Sequence, residues 1–447
     1  MDTIEDRTQS LCPICLKMLE ATIVAGSRGV ILDRTCPDHG PHRSVVSEDA
    51  KAYRRLLRMR RKVVKPTALS QEKLRGCPDD CGLCPSHEQH TCLCILEITA
   101  RCVQACPVCL ADSQPRGSVM NPSTAESALR ELVRLEGGPV PLQLSGGEPT
   151  THPRLLSIVR KAAALGFGKI ELDTNGQALG VRRNFARELK EAGLTGVYLQ
   201  MDGLEPQISL QLRGSDDLER KLAAIANSRE AGLQVVLSAT IVPGVNDQCL
   251  WNLVTFAVDH RLTGINFQSV ALSGRYPPHL REAKERFTLS HFLRELERQS
   301  NRQILASDLM PIACPDPRCG AISYLVVEDG RLTPLTRTVS NRRMATHAAS
   351  LANWNTVLQS LRSSAPSGCG ASSSPALTRV PGRVPHLDFF SIGFHGMMDR
   401  YDFDLKRAKR CCVHRLSPEG RLVPFCLYNV KYRHGREGVP FRQATGH

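Results

Sequence analysis

A short run of cysteines, Cys102, Cys106 and Cys109, is the part of this sequence whose residue types and spacing most directly indicate chemistry. Three thiolates in a CxxxCxxC loop can ligate three irons of one 4Fe-4S cube and leave the fourth iron without a protein ligand. That open iron can bind a substrate or a cofactor. Structural zinc normally takes four protein ligands, and a zinc site completed by Cys92 or Cys94 is the alternative. The spacing favours the open iron–sulfur cluster.

A glycine-rich turn at residues 145–150 follows one strand and one helix further along the chain. Gly146 and Gly147 allow the backbone to approach a ligand closely, and the carboxylate of Glu148 can accept hydrogen bonds from an ammonium group. Such a turn alone is typical of an ordinary loop between a strand and a helix. Its position one unit after the cysteine run predicts a ligand site.

Two pairs of metal-ligand residues stand near the N-terminus. Cys12 and Cys15 form a CxxC pair, and Cys36 and His39 form a CxxH pair after a predicted hairpin. Together they provide four ligands of the types that bind a tetrahedral zinc or a mononuclear iron. The residues leave open which of these metals the site holds.

A second cysteine group, Cys77, Cys81 and Cys84, precedes the first strand of the predicted sheet. Its short gaps favour an auxiliary iron–sulfur cluster, with Cys92 or Cys94 as a candidate fourth ligand. A second zinc knuckle is the alternative.

The C-terminal part of the chain carries the adjacent pair Cys411 and Cys412, followed by Cys426. Adjacent cysteines seldom form a disulfide with each other, so we expect them to bind a metal or another soft, thiophilic centre. We take Cys411 and Cys412 as candidate catalytic residues and Cys426 as a candidate metal ligand. Either member of the pair could instead be a small buried apolar residue. Cys314 and Cys319 could join this region or close on each other.

Short apolar runs alternate with helical patterns and predict the elements that position these residues. The runs predict six strands, at residues 92–98, 141–144, 169–172, 196–200, 234–239 and 264–270. Apolar residues at three- and four-residue intervals predict helices at residues 123–135, 154–165, 185–192, 217–231 and 250–258. The alternation predicts an α/β fold with a parallel sheet and right-handed crossovers, continued into a partial (β/α)6 barrel.

Polar residues stand at the C-terminal ends of the predicted strands, where such barrels place their functional groups. The set is Asp173, Thr174, Asn175, Gln200, Asp202, Ser238, Thr240, Asn266 and Gln268. Asn175, Asp202 and Ser238 are our candidate cofactor contacts, although any single one could be a hydrogen-bonded core group.

The cysteine run resembles the signature of the radical S-adenosylmethionine (SAM) superfamily. The motifs CPxC, CPxHG, GCPxxCGLC, SGGEPT, DTNG, YLQxDG, MMDxYxFD, RCCVH and PFCxYN are similar to its tetraether lipid synthase and pterin methyltransferase branch, over nearly the whole chain. The resemblance implies that the open iron chelates SAM, that Gly146, Gly147 and Glu148 hold the SAM amino group, and that the released carbon radical forms a new bond. Val108 departs from the aromatic residue that many members carry before the third cysteine.

Membership of this branch would permit lipid-chain coupling, methylation of a pterin-like heterocycle, or attack of a SAM-derived radical on a non-carbon atom. Two neighbouring thiolates can capture trivalent arsenic, and radical SAM enzymes of arsenosugar and arsinothricin biosynthesis are similar in carrying an RCC motif. Our specific hypothesis is therefore transfer of the 3-amino-3-carboxypropyl group of SAM to arsenite by Cys411 and Cys412 in the biosynthesis of an arsenic antibiotic. Lipid or pterin chemistry is the alternative.

Composition limits the other function classes. With 58 Lys and Arg against 44 Asp and Glu the net charge is +14, which favours anionic ligands. The basic residues form short clusters with few aromatic neighbours, so nucleic-acid binding is not expected. The sequence shows neither an apolar signal region nor a run of the roughly 18–20 apolar residues that span a bilayer, so we expect a cytoplasmic protein. In that compartment the 18 cysteines favour metal or catalytic chemistry over disulfides.

Four regions are predicted: a Cys-rich metal-binding leader at 1–90, the radical SAM partial barrel at 91–300, a variable segment and linker at 301–385, and a Cys-containing C-terminal module at 386–447. A stretch at 363–375, rich in Ser, Pro and Gly, predicts a flexible linker or surface loop.

The predicted cofactors are a 4Fe-4S cluster, SAM, an auxiliary iron–sulfur cluster and a mononuclear zinc or iron. The predicted partners are a small-molecule substrate and an electron donor such as flavodoxin or ferredoxin. A zinc-stabilised binding protein is the alternative from another functional class. The polar residues at successive strand ends argue against it, because a scaffold does not need them.

Overall fold

The N-terminal part of the chain is a small antiparallel sheet followed by a helix. A computed structural model describes residues 5–27, 29–59, 63–282, 286–312, 314–328, 330–337 and 388–433, so the predicted linker at 363–375 lies outside the described residues. The sheet pairs its strands in chain order: β1 (Glu5–Leu11), β2 (Met18–Gly26), β3 (Gly29–Cys36) and β4 (Gly40–Ser47). Helix α1 (Ala50–Arg58) contributes Tyr53 to an apolar core that it shares with Ile23 and Leu32 of the sheet.

Six parallel strands form the centre of the molecule and are hydrogen-bonded to one another in chain order. They are β5 (Leu93–Thr99), β6 (Leu142–Gly146), β7 (Ile170–Thr174), β8 (Gly196–Gln200), β9 (Gln234–Ile241) and β10 (Gly264–Ser269). The predicted α/β barrel is confirmed, and each predicted strand is present with its ends shifted by at most two residues.

Helices connect the strands and bury apolar faces against the sheet. They are α2 (Pro122–Glu136), α3 (Leu155–Ala164), α4 (Gln177–Val181), α5 (Phe185–Glu191), α6 (Pro206–Arg213), α7 (Leu218–Glu230), α8 (Leu250–Asp259), α9 (Pro278–Glu282) and α10 (Leu289–Gln299). Helices α4, α6, α9 and α10 were not predicted. The first three have only five to eight residues, which is too short to show a clear helical period.

Later segments extend the parallel sheet at both edges. The remaining elements are β11 (Met310–Pro311), β12 (Gly320–Glu328), β13 (Arg331–Pro334), β14 (Asp388–His395), α11 (Leu405–Lys409), β15 (Val413–Leu416), β16 (Leu422–Pro424) and α12 (Phe425–Leu427). Strand β14 lies parallel to β10, and β12 pairs antiparallel with β14. At the opposite edge β15 lies parallel to β5 and pairs with β16. The strand order is therefore β11-β12-β14-β10-β9-β8-β7-β6-β5-β15-β16.

The two faces of the parallel sheet differ in chemistry. Leu142 and Leu144 of β6 belong to the main apolar core together with residues of the helices. The alternate residues of the same strand, Gln143 and Ser145, are polar, as expected when successive side chains point to opposite faces. The inner face of the barrel is consequently polar. Among the described helices, none combines the length and the apolar character required to cross a bilayer.

Candidate functional site

The three cysteines of the CxxxCxxC run lie in the loop that follows β5, which we call the cluster loop (residues 100–117). Cys102 and Cys106 are buried and Cys109 is half-buried. Burial raises the pKa of the Cys102 thiol to about 11, and the charges of Cys106 and Cys109 add to this rise, so the three sulfurs lie within electrostatic reach of one another. Three soft donors from one short loop fit a 4Fe-4S cluster that leaves one iron open.

Two arginines hold the backbone of the cluster loop. Arg275 N donates to Cys109 O at 2.9 Å, and its Nε donates to Cys106 O at 2.8 Å. Arg213 Nη1 donates to Val108 O at 3.0 Å. Burial raises the pKa of the Cys106 thiol, and the neighbouring guanidinium of Arg213 opposes that rise. Arg213 therefore both positions the loop and offsets the negative charge of its thiolates.

Asp202, a predicted cofactor contact, forms a bidentate ion pair with Arg213. Arg213 Nε and Nη2 lie 2.5 and 3.0 Å from the two carboxylate oxygens. Asp202 is 1% exposed and also accepts hydrogen bonds from Gln200 Nε2 at 2.6 Å and Thr240 N at 2.8 Å. Its carboxylate thus orients Arg213. Sequence analysis missed Arg213, because an arginine at the end of a short helix has no distinguishing pattern.

A buried lysine anchors the other side of the cluster loop. Lys221 is 2% exposed, and its Nζ lies 3.1 Å from Asp217 Oδ1 and 3.0 Å from Gln200 Oε1. Gln104 of the cluster loop donates to Asp217 Oδ2 at 3.3 Å. This network joins the loop to α7 and to the end of β8. Lys221 was also missed, since a lysine in a helical pattern is ordinarily assigned to the solvated face.

The glycine turn packs directly against the start of the cluster loop. Gly147 N donates to Thr99 O at 2.8 Å, and Glu148 N donates to Arg101 O at 2.7 Å. A Cβ on Gly146, which has φ of 138°, would lie 2.0 Å from Thr99 O. Only glycine permits this approach. The structure therefore brings together the two motifs that the sequence predicted to share a ligand site.

The carboxylate of Glu148 ties the end of β6 to the end of β7. It accepts hydrogen bonds from Thr150 N at 3.0 Å, Thr150 Oγ1 at 2.6 Å, Thr174 Oγ1 at 2.7 Å and Asn175 N at 2.8 Å. Glu148 is 3% exposed, and burial raises the pKa of its carboxyl. These contacts place Asn175, another predicted cofactor contact, next to the glycine turn.

A second polar group lies on the inner face of β8, β9, β10 and β14. Asn266 Nδ2 and Gln268 Nε2 donate to Tyr198 Oη at 2.5 and 2.8 Å, and Gln268 also reaches Ser238 Oγ at 3.5 Å. His395 Nδ1 lies 2.8 Å from Asn266 Oδ1. Burial raises the pKa of Tyr198 to about 12 and lowers that of His395 to about 4. Both are neutral at neutral pH, so this inner polar group offers uncharged donors and acceptors.

The four ligands predicted in the leader come together in one group. Cys36 Sγ and Cys12 Sγ lie 3.4 and 3.7 Å from His39 Nδ1, and Cys15 Sγ lies 3.9 Å from Cys36 Sγ. All four ligand atoms are within 4.8 Å of one another, a spacing that fits a single metal ion. His42 Nε2 lies 3.8 Å from Cys12 Sγ and is a neighbour that sequence analysis missed.

The loop that carries Cys77, Cys81 and Cys84 meets the C-terminal part of the chain. Cys77, Cys81 and Cys426 share one apolar cluster. Burial raises the pKa of the Cys81 thiol, and the charges of Cys77, Cys84 and Cys411 add to that rise. Cys411 and Cys426 are therefore the candidates for a fourth ligand at this loop.

Neither of the two fourth ligands suggested by the sequence joins this loop. Cys94 is fully buried in the main apolar core. Cys92 Sγ lies 3.5 Å from His90 Nε2, and both belong to a group with Cys314. Sequence order suggested these residues because they follow the loop along the chain, but Cys94 is buried within β5 and Cys92, just before β5, is grouped with His90 and Cys314.

The adjacent pair Cys411 and Cys412 is divided between two groups of cysteines. The charges that act on Cys411 include that of Cys319, and Cys411 in turn acts on Cys426. The pKa of the Cys412 thiol is instead raised by its neighbours Cys314 and Cys92. In the described part of the chain every cysteine is a free thiol.

Two protein families match parts of the sequence. Residues 96–257 match the radical SAM superfamily. Residues 4–48 match the HMPTM N-terminal zinc ribbon domain. The first range contains the cluster loop and the glycine turn, and the second contains the ligand group of the leader.

Similar proteins differ in how much of the chain they cover. The chain is 31% identical over 481 aligned residues to 7,8-dihydro-6-hydroxymethylpterin dimethyltransferase of Methanocaldococcus jannaschii, covering 96% of this chain and 94% of that protein. It is 30% identical over 172 residues to GTP 3′,8-cyclase of Pseudomonas entomophila, covering 37% of this chain and 50% of the cyclase. Streptococcus suis SuiB bound to S-adenosylmethionine overlaps 47% of each chain with a TM-score of 0.39 at 16% identity.

Proposed function

The chain belongs to the radical SAM superfamily, in a pterin methyltransferase-like branch, and from this membership we propose that it transfers a carbon group from SAM to a heterocyclic, pterin-like small molecule. Membership makes the protein an enzyme, and the similarity to a methyltransferase makes it a transferase. The observation that carries the proposal is similarity along almost the full length of the archaeal dimethyltransferase, together with the cluster loop and glycine turn packed against each other.

In this proposal Cys102, Cys106 and Cys109 hold the 4Fe-4S cluster. When bound, the cluster supplies an electron to the sulfonium of SAM, which splits a carbon–sulfur bond. Gly146 and Gly147 offer backbone close to the cluster loop for the amino end of SAM. Arg213 holds the loop in place and offsets the charge of its thiolates. The electron itself must come from a reductant outside the chain, such as flavodoxin or ferredoxin.

The inner polar group supports a heterocyclic substrate over a lipid chain. Asn266 and Gln268 each carry an amide that can donate and accept, and Tyr198, Ser238 and His395 add further uncharged groups. Such groups match the alternating donors and acceptors on the edge of a heterocycle. A long hydrocarbon chain lying against these half-buried groups would offer no partner for the hydrogen-bonding capacity that they do not use among themselves.

The arsenic hypothesis depends on the pair Cys411 and Cys412 acting as one site. The two thiols have different neighbours, and Cys412 is 3% exposed. Capture of arsenite by both thiolates would require them to turn toward each other. For this reason the heterocycle is our proposal, and arsenite is a separate arm of its test.

The test is anaerobic reconstitution followed by dithionite reduction with SAM labelled with deuterium in the methyl group. Parallel reactions contain a reduced pterin, arsenite or no added substrate, and mass spectrometry identifies the SAM fragments and any labelled product. Cys106→Ala is the inactive comparison. Cys249→Ala is the matched control, because Cys249 is a half-buried barrel cysteine whose thiol contacts Glu205 at 3.5 Å and which belongs to none of the metal-ligand groups of the described residues.

We expect a labelled, alkylated pterin from the unaltered chain and from Cys249→Ala, and none from Cys106→Ala. Methylthioadenosine with an amino-carboxypropyl arsenical would replace the heterocycle with arsenic as the acceptor. Absence of SAM breakdown in a preparation with full iron content would contradict radical chemistry at this loop.

A further inference from the structure

A third group of metal-ligand residues lies before β5 and was not predicted as a site. His90, Cys92 and Cys314 place their ligand atoms within 4.8 Å of one another, and Cys92 Sγ lies 3.5 Å from His90 Nε2. Cys412 adjoins this group, because Cys92 N donates to Cys412 O at 2.8 Å, and its thiol is near enough to Cys92 and Cys314 to shift the pKa values of both. Three thiols and one imidazole form a complete ligand set for a tetrahedral structural zinc.

The four residues come from both edges of the barrel sheet. Cys92 directly precedes β5, and Cys412 directly precedes its neighbour β15. Cys314 lies in the loop between β11 and β12, at the opposite end of the strand order. Cys92 N donates to Cys412 O at 2.8 Å, and Gln89 Nε2 donates to Cys314 O at 2.6 Å. These hydrogen bonds therefore hold the three segments together independently of the thiols.

A buried carboxylate lies near the ring nitrogen of His90 that faces away from Cys92. Glu136 Oε2 lies 3.9 Å from His90 Nδ1, on the other side of the ring from Cys92, and the Glu136 side chain is 2% exposed. Thr91 donates to Glu136 Oε1 from its backbone N–H at 3.0 Å and from its hydroxyl. Metal-ligating histidines usually direct their second nitrogen to such a carboxylate. The arrangement fits ligation through Nε2.

The spacing of the group separates a single ion from a cluster. Two sulfurs bound to one zinc at about 2.3 Å cannot lie more than ~4.6 Å apart. In a 4Fe-4S cube each cysteine binds a different iron, so its sulfurs lie further apart. Among the described residues, only two sets place three or more His, Cys, Asp or Glu ligand atoms within 4.8 Å of one another: the leader group, and His90, Cys92 and Cys314 here.

We propose that His90, Cys92, Cys314 and Cys412 bind one structural zinc ion that fastens the two edges of the barrel sheet together. The ion would lie at the end of β5 opposite to the cluster loop, since Cys92 precedes and Cys102 follows this seven-residue strand. A strand of that length spans ~23 Å. The zinc stabilises the fold and does not touch SAM or substrate. This inference is independent of the proposed function.

The test measures zinc and iron per chain, by mass spectrometry of the metals, in the full-length protein purified without oxygen. We compare the unaltered chain with Cys314→Ser, with Cys15→Ser in the leader group, and with Cys249→Ser as the control. We expect Cys314→Ser to lose about one zinc per chain, to keep its iron and to unfold at a lower temperature. Cys249→Ser should keep the metal content and the unfolding temperature of the unaltered chain.

A second measurement covers the case in which Cys314→Ser does not fold. In the Cys15→Ser protein the group proposed here is intact, and X-ray absorption at the zinc edge should find three sulfurs and one nitrogen around the remaining zinc. Zinc content unchanged by Cys314→Ser, loss of about four irons in its place, or a zinc shell without sulfur would each overturn the proposal.

Discussion

The two ends of strand β5 carry cysteines in contrasting arrangements. At the C-terminal end, Cys102, Cys106 and Cys109 come from one loop and are not part of a tight ligand group within the described chain. At the N-terminal end, Cys92 joins His90 and Cys314 within 4.8 Å, with Cys412 beside them. Looser spacing suits a cube with an open iron, whereas the tight set suits a single closed ion.

The two ends of β5 therefore differ in role. We assign iron–sulfur chemistry to the C-terminal end and stabilisation of the fold to the N-terminal end. The cluster loop is surrounded by buried ion pairs, such as Arg213 with Asp202, that hold charge near the reacting atoms. The group at the other end is supported by Glu136 and joins distant segments of the chain. A rigid strand keeps the two apart, so changes at one end should leave the other end unaffected.

Loss of the iron–sulfur cluster at the C-terminal end of β5 has the largest expected effect. Cys102→Ala removes a cluster ligand, and SAM cleavage should fall to background because the 4Fe-4S cluster cannot form. Iron content and 5′-deoxyadenosine or methylthioadenosine release measure the loss, while zinc content should stay unchanged. Loss of zinc along with the iron would show that the two ends of β5 are not independent.

Removal of the buried arginine should have the next largest effect. Arg213→Met leaves Asp202 buried without its partner, which should lower the free energy of unfolding by about 3–5 kcal/mol. Urea unfolding under anaerobic conditions measures the change, with the exposed Arg187→Met in α5 as control. A decrease smaller than 1 kcal/mol, about what an exposed ion pair contributes, would contradict the structural role of this ion pair.

Removal of the Glu136 charge, at the N-terminal end of β5, should have a smaller effect. Glu136→Gln keeps the size of the side chain but removes the charge that faces His90, and zinc affinity should fall about 10–100-fold. Competition with a chelator measures the affinity. Glu126→Gln is the control, because Glu126 lies on the same helix and pairs with Arg130 and Lys161 at the surface. Equal zinc affinity in both variants would show that Glu136 does not contribute to zinc binding.

The smallest expected effect concerns the inner polar group. Tyr198→Phe removes the hydroxyl to which Asn266 and Gln268 donate, at a cost of about 1 kcal/mol in substrate binding. The KM for the accepting substrate should rise about fivefold, and the KM for SAM should change less. Steady-state kinetics with each reactant varied in turn make the distinction. A larger rise for SAM would assign the group to the cofactor.

The sequence alone predicted the iron–sulfur cluster at the C-terminal end of β5. Cys77, Cys81 and Cys84 share the CxxxCxxC spacing, and the run at Cys102 is distinguished by its position directly after a predicted strand and one unit before the glycine turn. The strands were equally accessible, because each is a short segment rich in apolar residues that ends in polar residues or glycine. Gly146, Gly147 and Glu148 were predicted to lie near the cysteines because parallel strands bring their C-terminal ends to one edge of the sheet.

Only the tertiary structure decided the other contacts. His90, Cys92, Cys314 and Cys412 come from segments that β pairing brings together, and no local spacing indicates that they meet. Lys221 looked like a surface lysine until its partner Asp217 was found buried with it. Cys411 and Cys412 looked like one site because they are adjacent. Both residues precede β15, and their thiols have different cysteine neighbours: Cys319 and Cys426 for Cys411, and Cys92 and Cys314 for Cys412.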